Sequence, residues 1–258
     1  MGAASKDSIA TIAAIGLVAY VSADVAHHVL GHGGACLALH GQAESISSVY
    51  VKCSVTGGAV DLAGPIANLI VGVGALLGAH LVSRRRAATH LICALVAAFN
   101  LFWFSMQLAF SAATKTDDWA WTIQHYHVGE PARYVMIGLG AALYMLTARV
   151  VAHQLAPFAQ PIARVRNIAL TTWITGGAIA VLTAAFDRNG SSVILRSALP
   201  QSLLLSIGLL FAPARAARSS TPDNASAYLN VSIPWIVTAA IVGGLSVAYL
   251  GPGFAVAF

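Results

Sequence analysis

Charge is scarce in this sequence. Asp, Glu, Lys and Arg make up 9% of its 258 residues against 58% hydrophobic ones, and the mean hydropathy is +0.76. Soluble domains carry about a quarter of their residues as charges, so this composition excludes an ordinary water-soluble protein and leaves an integral membrane one. Cysteine is scarcer still. Cys36, Cys53 and Cys93 form no CxxC pair and are odd in number, which argues against a disulfide framework and makes free, buried thiols the expectation. Internal repeats and low-complexity tracts are missing too, apart from the polar linker ARSSTPDNASAY, Ala217 to Tyr228.

What is present is a succession of apolar runs. A hydrocarbon layer needs about 20 apolar residues per helix, and such runs recur near 9–39, 59–82, 88–112, 133–153, 168–186, 197–213 and 233–253. The expected fold class is all-α polytopic membrane protein, with about six to seven transmembrane helices. The first run is too long for one straight span and reads as a span followed by a polar-faced half-helix. Residues 9–26 could pass for a signal peptide, but cleavage there would leave His27 near the new N-terminus, so an uncleaved span is expected.

Two regions are expected: residues 1–130, which hold the chemistry, and residues 131–258, a further four-helix region acting as scaffold or as a lateral wall to a cavity. The formal net charge of +5 does not point to nucleic acid, because the basic residues lie in connections and not along one exposed stripe. With Met1 cytoplasmic, that side collects Lys6, Arg84, Arg85, Arg86, Arg149, Arg164, Arg166, Arg215 and Arg218. Lys52, Lys115, Arg133, Arg188 and Arg196 fall opposite, with most of the acids. The positive-inside rule then predicts a cytoplasmic N-terminus in a plasma (inner) membrane, with the lipid bilayer as the first partner.

Within ESISSVYVKCSVTGG, Glu44 to Gly58, Ile46, Val49, Val51 and Val55 are interspersed with Ser, Lys and Cys before paired glycines, which predicts one or two short interfacial strands. Gly64-Pro65 reads as the start of the next span, where a missing N–H does no harm. Gly74 and Gly78 form a small-xxx-small face suited to close helix packing. Asn100 sits in the third span, and Trp119 and Trp121 after it read as interfacial anchors.

The chemistry concentrates in AHHVLGHGGACLALHG, Ala26 to Gly41. Ionisable side chains in hydrocarbon are costly and mark pathways, proton relays or metal sites. On an α-helix, residues four apart sit over one another, so Asp24, His28, His32 and Cys36 form one stripe. His28 and His32 make half of a tetrahedral zinc site, and Asp117 or Asp118 is the expected third ligand. Asp24 is placed to orient an imidazole. His27 points roughly a hundred degrees from His28, toward a neighbouring helix. His125 and His127 read as solvated interface residues, and His40, His80, His90 and His153 as snorkelling side chains at span ends.

This order of motifs resembles the site-2 protease family of intramembrane zinc metallopeptidases. HHVLGHGGACLAL resembles that family's HExxH helix, in which two histidines bind zinc and the glutamate activates water. GGAVDLAGPIANLIVG is similar to its glycine-rich turn and AGPxxN helix, falling on Gly64, Pro65 and Asn68. FNLFW through TDDWA occupies the place of the helix that supplies an aspartate ligand, and Asp118 is favoured because it directly precedes Trp119. The resemblance spans roughly residues 20–125 and implies Zn2+, a transmembrane or membrane-proximal peptide substrate, and a strand that can hold it extended.

The family's glutamate is absent. Val29 fills its place if His28 and His32 are the ligands; His28 fills it if the motif starts at His27 with one extra residue. Asp24, Glu44 or a histidine is left to act as base. Asn100 precedes Asp117 by 17 positions with no proline between, unlike the family's compact aspartate motif. Two other functions stay open: a non-catalytic member that binds metal or a partner helix, and a histidine-cluster iron oxygenase acting on lipid.

Overall fold

A computed structural model describes residues 6–220 and 226–256. The middle of the polar linker, 221–225, lies outside them. Among the described residues seven helices are long and apolar enough to cross a membrane, and together they make a multi-pass membrane protein. Large apolar side chains such as Leu81, Tyr134 and Leu195 are largely exposed on the outside of the bundle, a surface that suits hydrocarbon and would aggregate in water.

Helix α1 (Ile9–Asp24) opens at Ser8, whose side chain accepts from the Thr11 N–H, a conventional N-cap. It runs without a break into a π-helical segment, Val25–Gly33, and then α2 (Gly34–Ala38). Strands β1 (Ala43–Ile46) and β2 (Val51–Cys53) form a hairpin. Helices α3 (Gly58–Leu81), α4 (Ala87–Thr114), the short α5 (Asp118–His125), α6 (Glu130–Leu155) and α7 (Ile162–Ala184) follow. Two further π-helical turns, Ile194–Ala198 and Pro200–Leu204, precede α8 (Gly208–Ser219) and α9 (Ile233–Leu245). A last π-helical turn, Ser246–Leu250, leads to β3 (Phe254–Val256).

The third strand comes from the far end of the chain. β3 pairs antiparallel with β1, giving the order β2-β1-β3, so the C-terminal segment closes the sheet beside the histidine helix. The main core also draws on both halves: Ile15, Phe99 and Trp103 pack in one cluster with Leu155, Phe158, Ile168 and Leu209. On the face away from the sheet, Asp7 binds the Arg164 guanidinium through both oxygens, at 2.7 and 3.0 Å.

Three expectations change. Cys36 and Cys53 are joined in a disulfide, with Cα atoms 5.9 Å apart, and Cys93 alone is free. The hairpin folds back under α2, so two cysteines 17 residues apart meet although no CxxC motif announces them. Pro65 lies inside α3 and not in its first turn, because the helix begins at Gly58; the Asp61 carbonyl is thereby left without its i+4 donor. Close packing falls on Gly72, against Leu101 and Asn100, whereas Gly74 faces open space and Gly78 meets only Cys93.

Candidate metal centre

The winding of the histidine segment decides which rings meet. In a π-helix hydrogen bonds run from i to i+5, so side chains five apart share a face. His27 and His32 therefore converge, and His28, expected beside His32 at i, i+4, is directed elsewhere: its Nδ1 lies 2.8 Å from Asp24 Oδ1. The π turn absorbs the one extra residue between the two converging histidines. Glycine makes the segment's close approach to α3 feasible, since a Cβ on Gly31 would lie 2.5 Å from the Gly64 Cα and 2.7 Å from the Ala63 carbonyl oxygen.

That crossing fixes both imidazole tautomers. His32 Nδ1 lies 2.7 Å from the Val60 carbonyl oxygen, which can only accept, so Nδ1 carries the hydrogen. His27 Nδ1 lies 2.6 Å from Asn68 Oδ1. The Asn68 amide donates through Nδ2 to the Ala23 carbonyl at 3.0 Å and to Asn100 Oδ1 at 2.8 Å, and Asn100 Nδ2 donates to the Val96 carbonyl at 2.8 Å. This chain is anchored at a backbone acceptor, which orients each amide in turn, so His27 Nδ1 also carries its hydrogen. In a neutral imidazole the other nitrogen is then an acceptor. Trp103 stacks on the His27 ring, centroids 4.8 Å apart at 23°, and holds its plane.

The carboxylate arrives from α5. Lys115 and Asp117 adopt positive φ, 61° and 74°, and this tight turn sends the chain back onto the bundle after α4. Ser111 pins it, donating to the Thr116 carbonyl at 2.5 Å and accepting from the Ala120 N–H at 2.9 Å. Gln107 donates from Nε2 to Asp118 Oδ2 at 2.8 Å and to Asp117 Oδ2 at 3.1 Å. Burial opposes charge on the Asp118 carboxyl, but His32 and His27 outweigh it and hold the group below the usual carboxylate range. Asp117 is pushed up by burial and by the Asp118 charge beside it.

Three acceptors thus meet. His27 Nε2 lies 3.1 Å from His32 Nε2, and Asp118 Oδ2 lies 3.1 Å from the first and 3.3 Å from the second. Lone pairs packed this closely and buried repel one another unless a proton or a cation sits among them. Donors held about 2.1 Å from one first-row divalent cation are about 3.0 to 3.4 Å apart, the range from an octahedral to a tetrahedral face. The buried group His27, His32 and Asp118 could hold a metal ion.

No family model, curated protein or solved structure matches this chain. The centre is therefore interpreted from its own geometry. It lines a cavity of about 280 Å³ together with His28, Asp61 and Asp117, so a fourth coordination position has room for water or substrate.

Other candidate residues fall away from the centre. Glu44 is exposed on β1 and pairs with Lys52 at 2.7 Å; a strand position facing solvent cannot bring it to the cavity. Asn68 does not line the cavity but orients His27. His125 sits against Gly57 and Gly58 at the start of α3. His90 is not a snorkelling side chain: it is buried, with Nε2 2.9 Å from the Gln154 carbonyl oxygen. Trp119 packs against Phe104 with its indole nitrogen buried, while Trp121 is half-exposed at the cavity.

Gln107 and Trp103 are the functional side chains that motif reading misses. A signal exists for both, because Asn100, Trp103 and Gln107 follow helical spacing on one face of an otherwise apolar span. Removing such supporting contacts lowers metal affinity by roughly 10- to 100-fold. Asn68→Ala is expected to weaken metal binding by about that factor while leaving one site per chain; titration with a competing chelator measures it, and an unchanged affinity would show that the amide chain does not orient His27.

Proposed function

We propose that the protein is a membrane-embedded zinc hydrolase of the site-2 protease kind, cleaving peptide bonds in or near the bilayer. The observation that carries this reading is the convergence of two tautomer-fixed imidazoles and one carboxylate in a buried cavity. Two histidines, an acid and an open position make a common catalytic zinc set. The order of the histidine helix, the Gly64-Pro65 helix and the aspartate turn supports the same family. Zinc bound there would polarise a carbonyl and activate water.

His28 takes over the role that the family gives to glutamate. It reaches the same cavity, and its Nδ1 hydrogen is held by Asp24, 2% exposed, which leaves Nε2 as the acceptor. That nitrogen can take a proton from a cavity water and return it to a departing amine. Asp24 orients the ring and does not itself reach substrate. Cleavage of a transmembrane peptide by zinc-loaded protein in nanodiscs tests the reading. Turnover lost on chelation and restored by zinc is expected; zinc bound at one per chain with no turnover would favour a non-catalytic metal-binding member, and iron in the same place an oxygenase.

The cavity is assigned to the non-cytoplasmic side, with the N-terminus cytoplasmic. The positive-inside bias supports this, and so does the Cys36–Cys53 disulfide beside the site, since disulfides persist in oxidising compartments. A Val128→Cys variant, placed in the α5–α6 connection, is expected to react with a membrane-impermeant maleimide in intact cells. Labelling only after lysis would put the cavity on the cytoplasmic side.

A further inference from the structure

The cavity at the metal centre does not end there. A second cavity of about 310 Å³ shares Val49, Tyr50, Asp117, Trp121 and Gln201 with it and extends to Arg196. The two form one cleft between the β1–β2 turn, α5 and the π-helical turns Ile194–Ala198 and Pro200–Leu204. Its charge is polarised. Asp61 and Asp118 line only the metal end and Arg196 only the far end, with Asp117 between them lining both.

Arg196, like Arg188, differs from the other cations assigned to this side. Lys52, Lys115 and Arg133 are each held by Glu44 or Glu130. No ion pair among the described residues includes Arg196. Between the two ends, Gln201 lines both cavities, and its Oε1 is buried without a hydrogen-bond partner among the described residues. A buried acceptor of this kind lacks a donor; a half-turn of the carboxamide would present it to the cleft, where the N–H of an extended peptide would supply one.

We propose that this cleft selects peptides carrying a carboxylate, seated against Arg196 while Gln201 accepts from the peptide backbone, with the bond to be cut directed toward His27, His32 and Asp118. The inference rests on the peptidase reading for its direction. In the metal-free protein Asp61 and Asp118 disfavour an acidic side chain at the metal end, and the guanidinium at the other end attracts it, so the charge pattern orients the peptide as well as binding it. A planar guanidinium also matches a carboxylate through paired hydrogen bonds. The carboxylate can belong to an Asp or Glu side chain or to the peptide's C-terminus.

The test uses full-length protein in neutral-lipid nanodiscs, first without metal, and three matched peptides: one with an internal Glu, the same with Gln, and a Gln peptide with a free C-terminus in place of an amide. Equilibrium binding is followed by peptide fluorescence anisotropy. About tenfold tighter binding of one carboxylate peptide over the neutral one is expected, and which of the two gains identifies the source. Arg196→Gln should abolish that preference, whereas Arg196→Lys keeps part of it. Arg196 is exposed, so these variants are expected to fold. Equal affinities for all three peptides, a preference that survives Arg196→Gln, or binding that depends on added anionic lipid and not on the peptide carboxylate would overturn the proposal. Cleavage by the zinc-loaded protein is scored separately: a neutral peptide cut as fast as an acidic one refutes the selectivity and leaves the hydrolase intact, and no cleavage of any peptide refutes the hydrolase.

Discussion

Alanine at His27, at His32 or at Asp118 is expected to abolish stoichiometric zinc binding, while alanine at His28 leaves zinc bound at one per chain. The contrast follows from the π-helical winding, which puts His27 and not His28 on the face of His32. Each of the three ligand substitutions removes a donor from a set that has only three, and an affinity loss well beyond the roughly 10- to 100-fold cost of a supporting contact should follow. His28→Ala has a different signature. A positioned base contributes about a hundred- to ten-thousand-fold to rate, so peptide cleavage should fall by that factor with zinc content unchanged. Metal analysis of the purified variants beside a cleavage assay separates the two groups. Zinc lost in His28→Ala and kept in His27→Ala would mean that the histidine pair is i, i+4 after all.

The second large effect is expected from a single methyl group. Gly64→Ala places a Cβ inside the His32 ring, in contact with Nε2 and 2.6 Å from Cε1. The ring has no free path of retreat, because its Nδ1 is tied to the Val60 carbonyl and its backbone runs in the segment that crosses α3 at Gly31. Either the ring swings out of the metal centre or the two helices separate. Metal binding should be lost in both cases, and overpacking of this kind destabilises by about 1 to 3 kcal/mol. Gly74→Ala is the matched control on the same helix. Open space surrounds Gly74, so alanine there should leave metal content unchanged and raise helix stability slightly. Equal zinc content in both variants would contradict the close crossing.

The spans are legible in the sequence because hydrocarbon imposes a length and an apolarity that few other environments demand. All seven runs reappear as helices, shifted by a few residues at their ends. The short strands after His40 are legible for a different reason, since β-branched residues interspersed with Ser, Lys and Cys and stopped by paired glycines favour strands, and Ile46 and Val51 fall in them. β3 is hidden, because three residues, Phe254 to Val256, gain their partner only from a strand more than 200 positions earlier.

The site is legible in its composition and not in its register. His27, His28, His32, Asp117 and Asp118 stand out as ionisable groups in an apolar chain, but a sequence does not announce where an α-helix widens into a π-helix. An i, i+4 stripe therefore selects His28, which lies off the metal face and against Asp24. The disulfide is hidden likewise, since the approach of Cys36 and Cys53 depends on the path of the hairpin. Gln107 could have been noticed as a carboxamide in an apolar span, placed one turn beyond Trp103.

The most direct measurement is an anomalous-difference map, recorded at the zinc absorption edge from crystals of the zinc-loaded protein. A single peak about 2.1 Å from His27 Nε2, His32 Nε2 and a carboxylate oxygen of Asp118 is expected, with His28 outside bonding distance. A peak coordinated by His28 and His32, or none between these three side chains, would contradict the proposed metal centre.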